Sequence, residues 1–199
     1  MKNRRTYALI LNSLIIMGEA VAIYLSFSAI GWSFLQYYTV LSNLLLLASC
    51  LVFLAKGGET DLSTKRFRLA ATACVGLTFL VTATMLAPAS GPGGFHNLLF
   101  SGDGLYYHLL CPLLSFLSFM CFEDGSGLSR KDALIPLGLT LLYALVTMVL
   151  NIMRLLYGPY FFLHVYEQSI LMSIVWFITI PGMVWLIALL FLWVNKKSK

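Results

Sequence analysis

The chain has 199 residues, 60% of them hydrophobic and only 11% charged, and a mean hydropathy of +0.88. That balance excludes a water-soluble domain, which carries about 25% charged residues, and makes lipid the main solvent. The formal charge of +5 does not indicate nucleic acid as a partner, because the basic residues sit in short clusters beside apolar segments, where they act as topology signals and headgroup contacts.

A bilayer core about 30 Å thick takes roughly 20 apolar residues per helix, and six such runs follow one another. The first covers residues 7–29 and is preceded by Lys2, Arg4 and Arg5. Its start has the look of a signal peptide as far as Ala22, but the apolar stretch continues to Ala29, so an uncleaved first helix is expected. Glu19 falls near the middle of this helix, where a charge costs roughly 2.5–3.5 kcal/mol, so it is expected to be protonated, paired or facing a polar cavity. The second run covers residues 35–55 and carries Thr39, Ser42 and Asn43 near its start. Lys56, Lys65, Arg66 and Arg68 separate it from the third, residues 67–86. Residues 87–104 contain Pro88, Pro92 and five glycines with almost no charge, a composition suited to a re-entrant or lid-like loop. The fourth run, 105–122, carries His108, Cys111 and Pro112. Arg130 and Lys131 precede the fifth, 133–152, and a polar connection with Arg154, His164 and Glu167 leads to the sixth, 170–194.

These runs predict an all-α integral membrane protein, a single transmembrane domain of six helices. Twelve of the thirteen Lys and Arg residues fall on one side of that arrangement and only Arg154 on the other. The bias places both termini in the cytoplasm of a multi-pass cell-membrane protein. The four cysteines lie inside or at the ends of apolar runs without metal-site or redox spacing, and are expected as small core residues. No cofactor motif appears, and a three-histidine metal site from His96, His108 and His164 would match no known ligand spacing. Nothing in the sequence specifies an oligomeric state.

On this topology Thr39, Ser42, Asn43 and His108 share a depth near the extracytoplasmic side. Thr39 and Asn43, four residues apart, lie on one helix face. A hydroxyl and an imidazole at one depth are the minimum for nucleophilic acyl chemistry, since imidazole can take the hydroxyl proton and later protonate the leaving group. Such a site also needs oxyanion donors, and Gln36, Asn43, a tyrosine or backbone N–H groups are candidates. The structural alternatives are a Thr39 hydroxyl bonded within its helix or across a helix interface, and a packed interfacial histidine. Arg154 pairs with Glu167 across the bundle end or holds a substrate carboxylate. Glu19 and Ser42 complete the candidates for contact with substrate.

The segment Phe34-Leu35-Gln36-Tyr37-Tyr38-Thr39-Val40-Leu41-Ser42-Asn43-Leu44-Leu45 resembles the start of helix two in a bacterial membrane-protein family, and Tyr106-Tyr107-His108-Leu109-Leu110-Cys111-Pro112 resembles that family's H-x-x-x-P element. Gly158-Pro159-Tyr160 before helix six is a further point of likeness. The family is similar to the androgen-induced protein and androgen-dependent TFPI-regulating protein, six-helix enzymes that hydrolyse fatty acid esters of hydroxy fatty acids. The resemblance implies that Thr39 is a nucleophile, that His108 is its base, and that the partner is a membrane lipid or fatty acyl ester. Two other functions compete with this one. A small transporter or channel would move a proton or ion through Glu19, and a noncatalytic protein would only bind lipid.

Overall fold

In a bilayer every backbone N–H and C=O must find its partner within the chain, and helices do this residue by residue. The computed structural model, which describes residues 2–197, accordingly has no strand among the described residues. Six helices are long and apolar enough to cross a membrane: α1 (Lys2–Ile30), α2 (Tyr38–Ala55), α3 (Leu62–Ala89), α4 (Leu105–Phe122), α5 (Arg130–Ile152) and α6 (Ile170–Lys197). This is the multi-pass all-α architecture expected from the apolar runs.

The ends of the helices depart from those runs for identifiable reasons. Basic residues form the first turns of α1, where Arg4 donates to Cys121 O at 2.5 and 3.1 Å and Arg5 to Gly57 O at 2.6 Å. The segment Gly31–Gln36 winds as a 3-10 turn, Tyr37 is extended, and α2 therefore starts at Tyr38. Helix α3 starts before residue 67 because Asp61 caps it, accepting the Thr64 N–H at 2.8 Å, which satisfies one of the four unpaired donors of a helix start. Lys65, Arg66 and Arg68 are thus helical and not loop residues.

Helix α3 lies at the centre, in contact with α2, α4, α5 and α6. Ala70, Ala71, Ala73 and Gly76 keep it thin enough for close approach; a Cβ on Gly76 would sit 3.0 Å from Ile187 Cγ2. Helix α1 has the inverse of a soluble amphipathic pattern. Ala8, Asn12, Ile15, Glu19, Ala22 and Ser26, spaced by three and four, are buried, while Tyr7, Ile10, Leu14, Met17 and Tyr24 face outward. Its buried stripe carries Asn12, Glu19 and Ser26, while large apolar side chains face outward.

One of the expected topology charges proves to be internal. Arg68 is fully buried at the end of the bundle that carries both termini, and its Nη2 donates to Glu123 Oε1 at 2.8 Å. Its Nη1 donates to Ser49 Oγ at 2.9 Å, and Glu123 Oε1 also accepts from Ser118 Oγ at 2.7 Å and Asn12 Nδ2 at 3.2 Å. Four helices are tied at this point. Three of the four cysteines are buried, whereas Cys121 is exposed, contrary to expectation.

Helix α4 begins with a π turn, Leu105–Leu110, in which the Cys111 N–H reaches five residues back to Tyr106 O. The next donor in that register would come from residue 112, and Pro112 has none. Asn43 Nδ2 takes its place, donating to Tyr107 O at 3.2 Å. The proline and the asparagine therefore fix the start of α2 against the start of α4, at the end of the bundle away from the termini.

Candidate functional site

Thr39 is the second residue of α2, so its N–H has no acceptor within the helix. It donates instead to the Tyr160 hydroxyl at 3.1 Å. Thr39 Oγ1 does not fold back on its own helix; it lies 3.3 Å from His108 Nε2 and 3.2 Å from the Tyr160 hydroxyl. Thr39 O accepts from Ser42 Oγ at 2.9 Å and Asn43 Nδ2 at 2.8 Å. With Nδ2 shared between Thr39 O and Tyr107 O, Asn43 is a scaffold here and not a free donor. The position at a helix N-terminus also puts the positive end of the α2 dipole beside Thr39.

The other imidazole nitrogen of His108, Nδ1, lies 2.7 Å from Leu98 O. A carbonyl only accepts, so this contact assigns the proton to Nδ1 and turns the Nε2 lone pair toward the Thr39 hydroxyl. Leu98 belongs to a short helix, Gly94–Leu99, within the glycine-rich connection. Gly104 makes the approach possible: a Cβ there would stand 2.5 Å from Leu98 O and 3.4 Å from His108 Nδ1. The connection thus sets the orientation of the histidine.

Tyr160 comes from the connection between α5 and α6. Asn151 organises that segment, donating through Nδ2 to Leu156 O and Tyr157 O and accepting the Val165 N–H on Oδ1. Gly158, at φ +93°, makes the turn that an L side chain would strain. Tyr160 then stacks on Phe162 at 5.1 Å between ring centroids.

Two spaces meet at Thr39 and Tyr160, and His108 lines the second of them. Between α3, α5 and α6 runs a narrow apolar crevice enclosing about 670 Å³ with its open mouth, lined by residues that include Thr39, Leu77, Val81, Ala144, Tyr160 and Trp176. On the other side of Thr39 a distal pocket of about 910 Å³, mouth included, is bounded by His108, Tyr160, Tyr37, Ser26 and Asp103. A hydroxyl, an imidazole lone pair and a phenol thus converge where an apolar channel meets a more polar one. That arrangement has the parts for nucleophilic attack on a carbonyl, with a proton acceptor at Nε2 and a hydroxyl donor for the developing oxyanion. The separation of 3.3 Å is at the long end for such a pair, as is common before substrate is bound.

Of the other residues expected near substrate, Ser42 supports the Thr39 carbonyl and bonds with Thr78 Oγ1 at 2.9 Å. Gln36 lines neither space; its carbonyl accepts the Tyr143 hydroxyl at 2.8 Å. Glu19 is fully buried with its carboxyl against the Cys111 thiol, and it lines neither space. Arg154 stacks over the Tyr166 ring at 4.9 Å and is outside both spaces. The expected Arg154–Glu167 pair is not formed: Glu167 accepts from the Tyr157 hydroxyl at 2.5 Å and pairs with His164 at 3.2 Å. Among the described residues no three His, Cys, Asp or Glu side chains converge as a metal site would require, and His96 is exposed on the loop helix.

Sequence reasoning missed the site roles of Tyr160 and the Leu98 carbonyl. Tyr160 is 121 positions from Thr39 and reads as one of several interfacial aromatics, with only the Gly-Pro-Tyr element to single it out. A backbone carbonyl leaves no residue-type signal. Compared with protein-family models, curated proteins and solved structures, the chain gives no match in any of the three.

Proposed function

We propose that the protein is an intramembrane hydrolase of long-chain fatty acyl esters, with Thr39 as nucleophile and His108 as general base. The observation that carries this reading is the Thr39 Oγ1–His108 Nε2 contact, with Nδ1 engaged by Leu98 O, where an apolar crevice adjoins a pocket that also holds Ser26 and Asp103. The acyl chain lies in the crevice as its lining side chains part, which brings the ester carbonyl to Thr39. Thr39 Oγ1 attacks the carbonyl carbon while Nε2 takes its proton. The Tyr160 O–H donates to the oxyanion, and the proton on Nε2 passes to the departing alkoxide. Water then attacks the acyl-threonine, losing a proton to Nε2, and as the bond between the acyl carbon and Oγ1 breaks that proton passes to Thr39 Oγ1, which releases the fatty acid and restores the resting pair.

The same two residues are those the family resemblance implies, so we also propose membership of that bacterial family. The one-sided distribution of Lys and Arg supports cytoplasmic termini in the cell membrane, with the site facing the opposite leaflet.

Release of fatty acid from a panel of long-chain acyl esters by the purified protein tests the reading. Tyr160→Phe, which keeps the ring and its stacking, should lower kcat on the order of 10²-fold with a smaller change in KM, as removal of an oxyanion donor does. An unchanged kcat would deprive Tyr160 of that role.

The second reading, movement of a proton or ion, draws on the fully buried carboxyl of Glu19, which has no basic partner among the described residues. The two are separated by Glu19→Gln, assayed for hydrolysis and for proton flux in liposomes. A hydrolase should retain its turnover within the same order of magnitude. Loss of a proton flux, in a protein that does not hydrolyse esters, would favour transport.

A further inference from the structure

Most hydroxyls that line the apolar crevice are already engaged with other protein groups. Tyr38 and Thr140 bond to each other at 2.8 Å, Tyr143 donates to Gln36 O, and Thr78 bonds with Ser42. Two are not engaged. Thr82 Oγ1 on α3 and Ser173 Oγ on α6 are buried, belong to the lining of the same crevice, and have no hydrogen-bond partner among the described residues. Thr82 is 1% exposed. Inside a helix such a hydroxyl can turn back to the carbonyl four residues earlier, as Thr84 does to Leu80 O and Thr147 to Tyr143 O, both at 2.7 Å. Thr82 and Ser173 do not, and a buried hydroxyl left unpaired is destabilising where valine or alanine would not be. A partner for both therefore has to arrive with the occupant of the crevice, and a plain acyl chain brings none. Their position fixes where on the chain that partner sits. Thr39 and Leu86 line both spaces and mark their junction. Thr82 stands one turn of α3 beyond Leu86, about 5 Å along the axis, and Ser173 lies in the first turn of α6. Both are beside the first carbons of an acyl group whose carbonyl is at Thr39.

We propose that Thr82 and Ser173 form a hydroxyl subsite for the acyl half, and that the preferred acyl group is a long-chain hydroxyacyl group with its oxygen a few carbons from the ester carbonyl. Each of the two side chains can donate or accept, and so can the substrate hydroxyl, so one such group satisfies both. Unsubstituted chains remain substrates but leave Thr82 and Ser173 unpaired. The subsite places no demand on the alcohol half. The products are a hydroxy fatty acid and the alcohol, with water as the only co-reactant. This inference rests on the hydrolase reading above.

The test compares the ethylene glycol monoesters of β-hydroxypalmitate, ω-hydroxypalmitate and palmitate in mixed micelles of one neutral detergent. The unmodified protein should turn over the β-hydroxy ester with kcat/KM about tenfold above that of the palmitate ester. The ω-hydroxy ester should do no better than palmitate, because its hydroxyl lies far from the subsite. Thr82→Val, which keeps the shape and removes the hydroxyl, should bring the β-hydroxy and palmitate esters together. That variant should also unfold at a temperature no lower than the unmodified protein, since no hydrogen bond is lost. A clear fall in that temperature would mean that the hydroxyl has a structural partner, and would overturn the subsite. A β-hydroxy ester turned over no faster than palmitate, or an ω-hydroxy ester equally favoured, with all turnover lost in Thr39→Ala, would overturn the subsite and leave the hydrolase standing. No turnover of any ester would remove the hydrolase and the subsite with it.

Discussion

Thr39→Ala is expected to lower ester turnover by about 10³-fold or more, and His108→Gln by about 10²–10⁴-fold. The first removes the attacking oxygen, the second the group that takes its proton. The double variant should be little worse than Thr39→Ala alone, because residues that act as one unit do not lose activity additively. Folding should survive the threonine change. The Thr39 N–H still meets Tyr160, the Thr39 carbonyl still accepts from Ser42 and Asn43, and only one small hydroxyl is lost. Thr39→Ser should remain active, since it keeps the oxygen and relieves the crowding of the methyl group. Rates on a long-chain ester, normalised to folded protein by gel filtration, check all four variants. Turnover in Thr39→Ala near that of the unmodified protein would eliminate the proposed nucleophile.

The second large effect lies at the other end of the bundle and concerns stability. Arg68 and Glu123 are side chains with 1% and 4% exposure, and all donor arms of the guanidinium are engaged by Glu123, Ser49 or Cys50. Glu123→Ala would leave that cation inside an apolar bundle, at a cost of about 3–5 kcal/mol. Replacing both members, as in Arg68→Met with Glu123→Ala, should recover part of the loss, because the cost comes from an uncompensated charge more than from the missing attraction. Thermal unfolding in one detergent measures the order. The molecules that remain folded should keep their turnover, since the ion pair and Thr39 occupy opposite ends. A single variant as stable as the unmodified protein would contradict the structural role of the pair.

Much of this architecture is legible in residue order, for physical reasons. Lipid demands long apolar runs, so six helices can be counted directly, and α4 even has the expected limits, 105–122. The error at the start of α3 came from weighing Lys65, Arg66 and Arg68 as loop charges, although Asp61 carries a cap signal. Arg68 in particular finds its partner 55 positions away, a distance that periodicity cannot bridge. Thr39 and His108 could be put at one depth because each opens a helix on the same side of the membrane. That they share a hydrogen bond depends on the π turn of α4, on Pro112 and on the Asn43 bridge. Arg154, expected either to pair with Glu167 or to hold a substrate carboxylate, lies over the Tyr166 ring, while Asp103, seen only as a residue before a helix, lines the pocket.

The most direct measurement is the site of covalent capture by a long-chain fluorophosphonate, located by mass spectrometry of the digested protein. A hydrolase working through Thr39 will carry the adduct on Thr39, lose it in Thr39→Ala and form it far more slowly in His108→Gln. Ester turnover that persists in Thr39→Ala, or an adduct on another residue, would contradict the assignment.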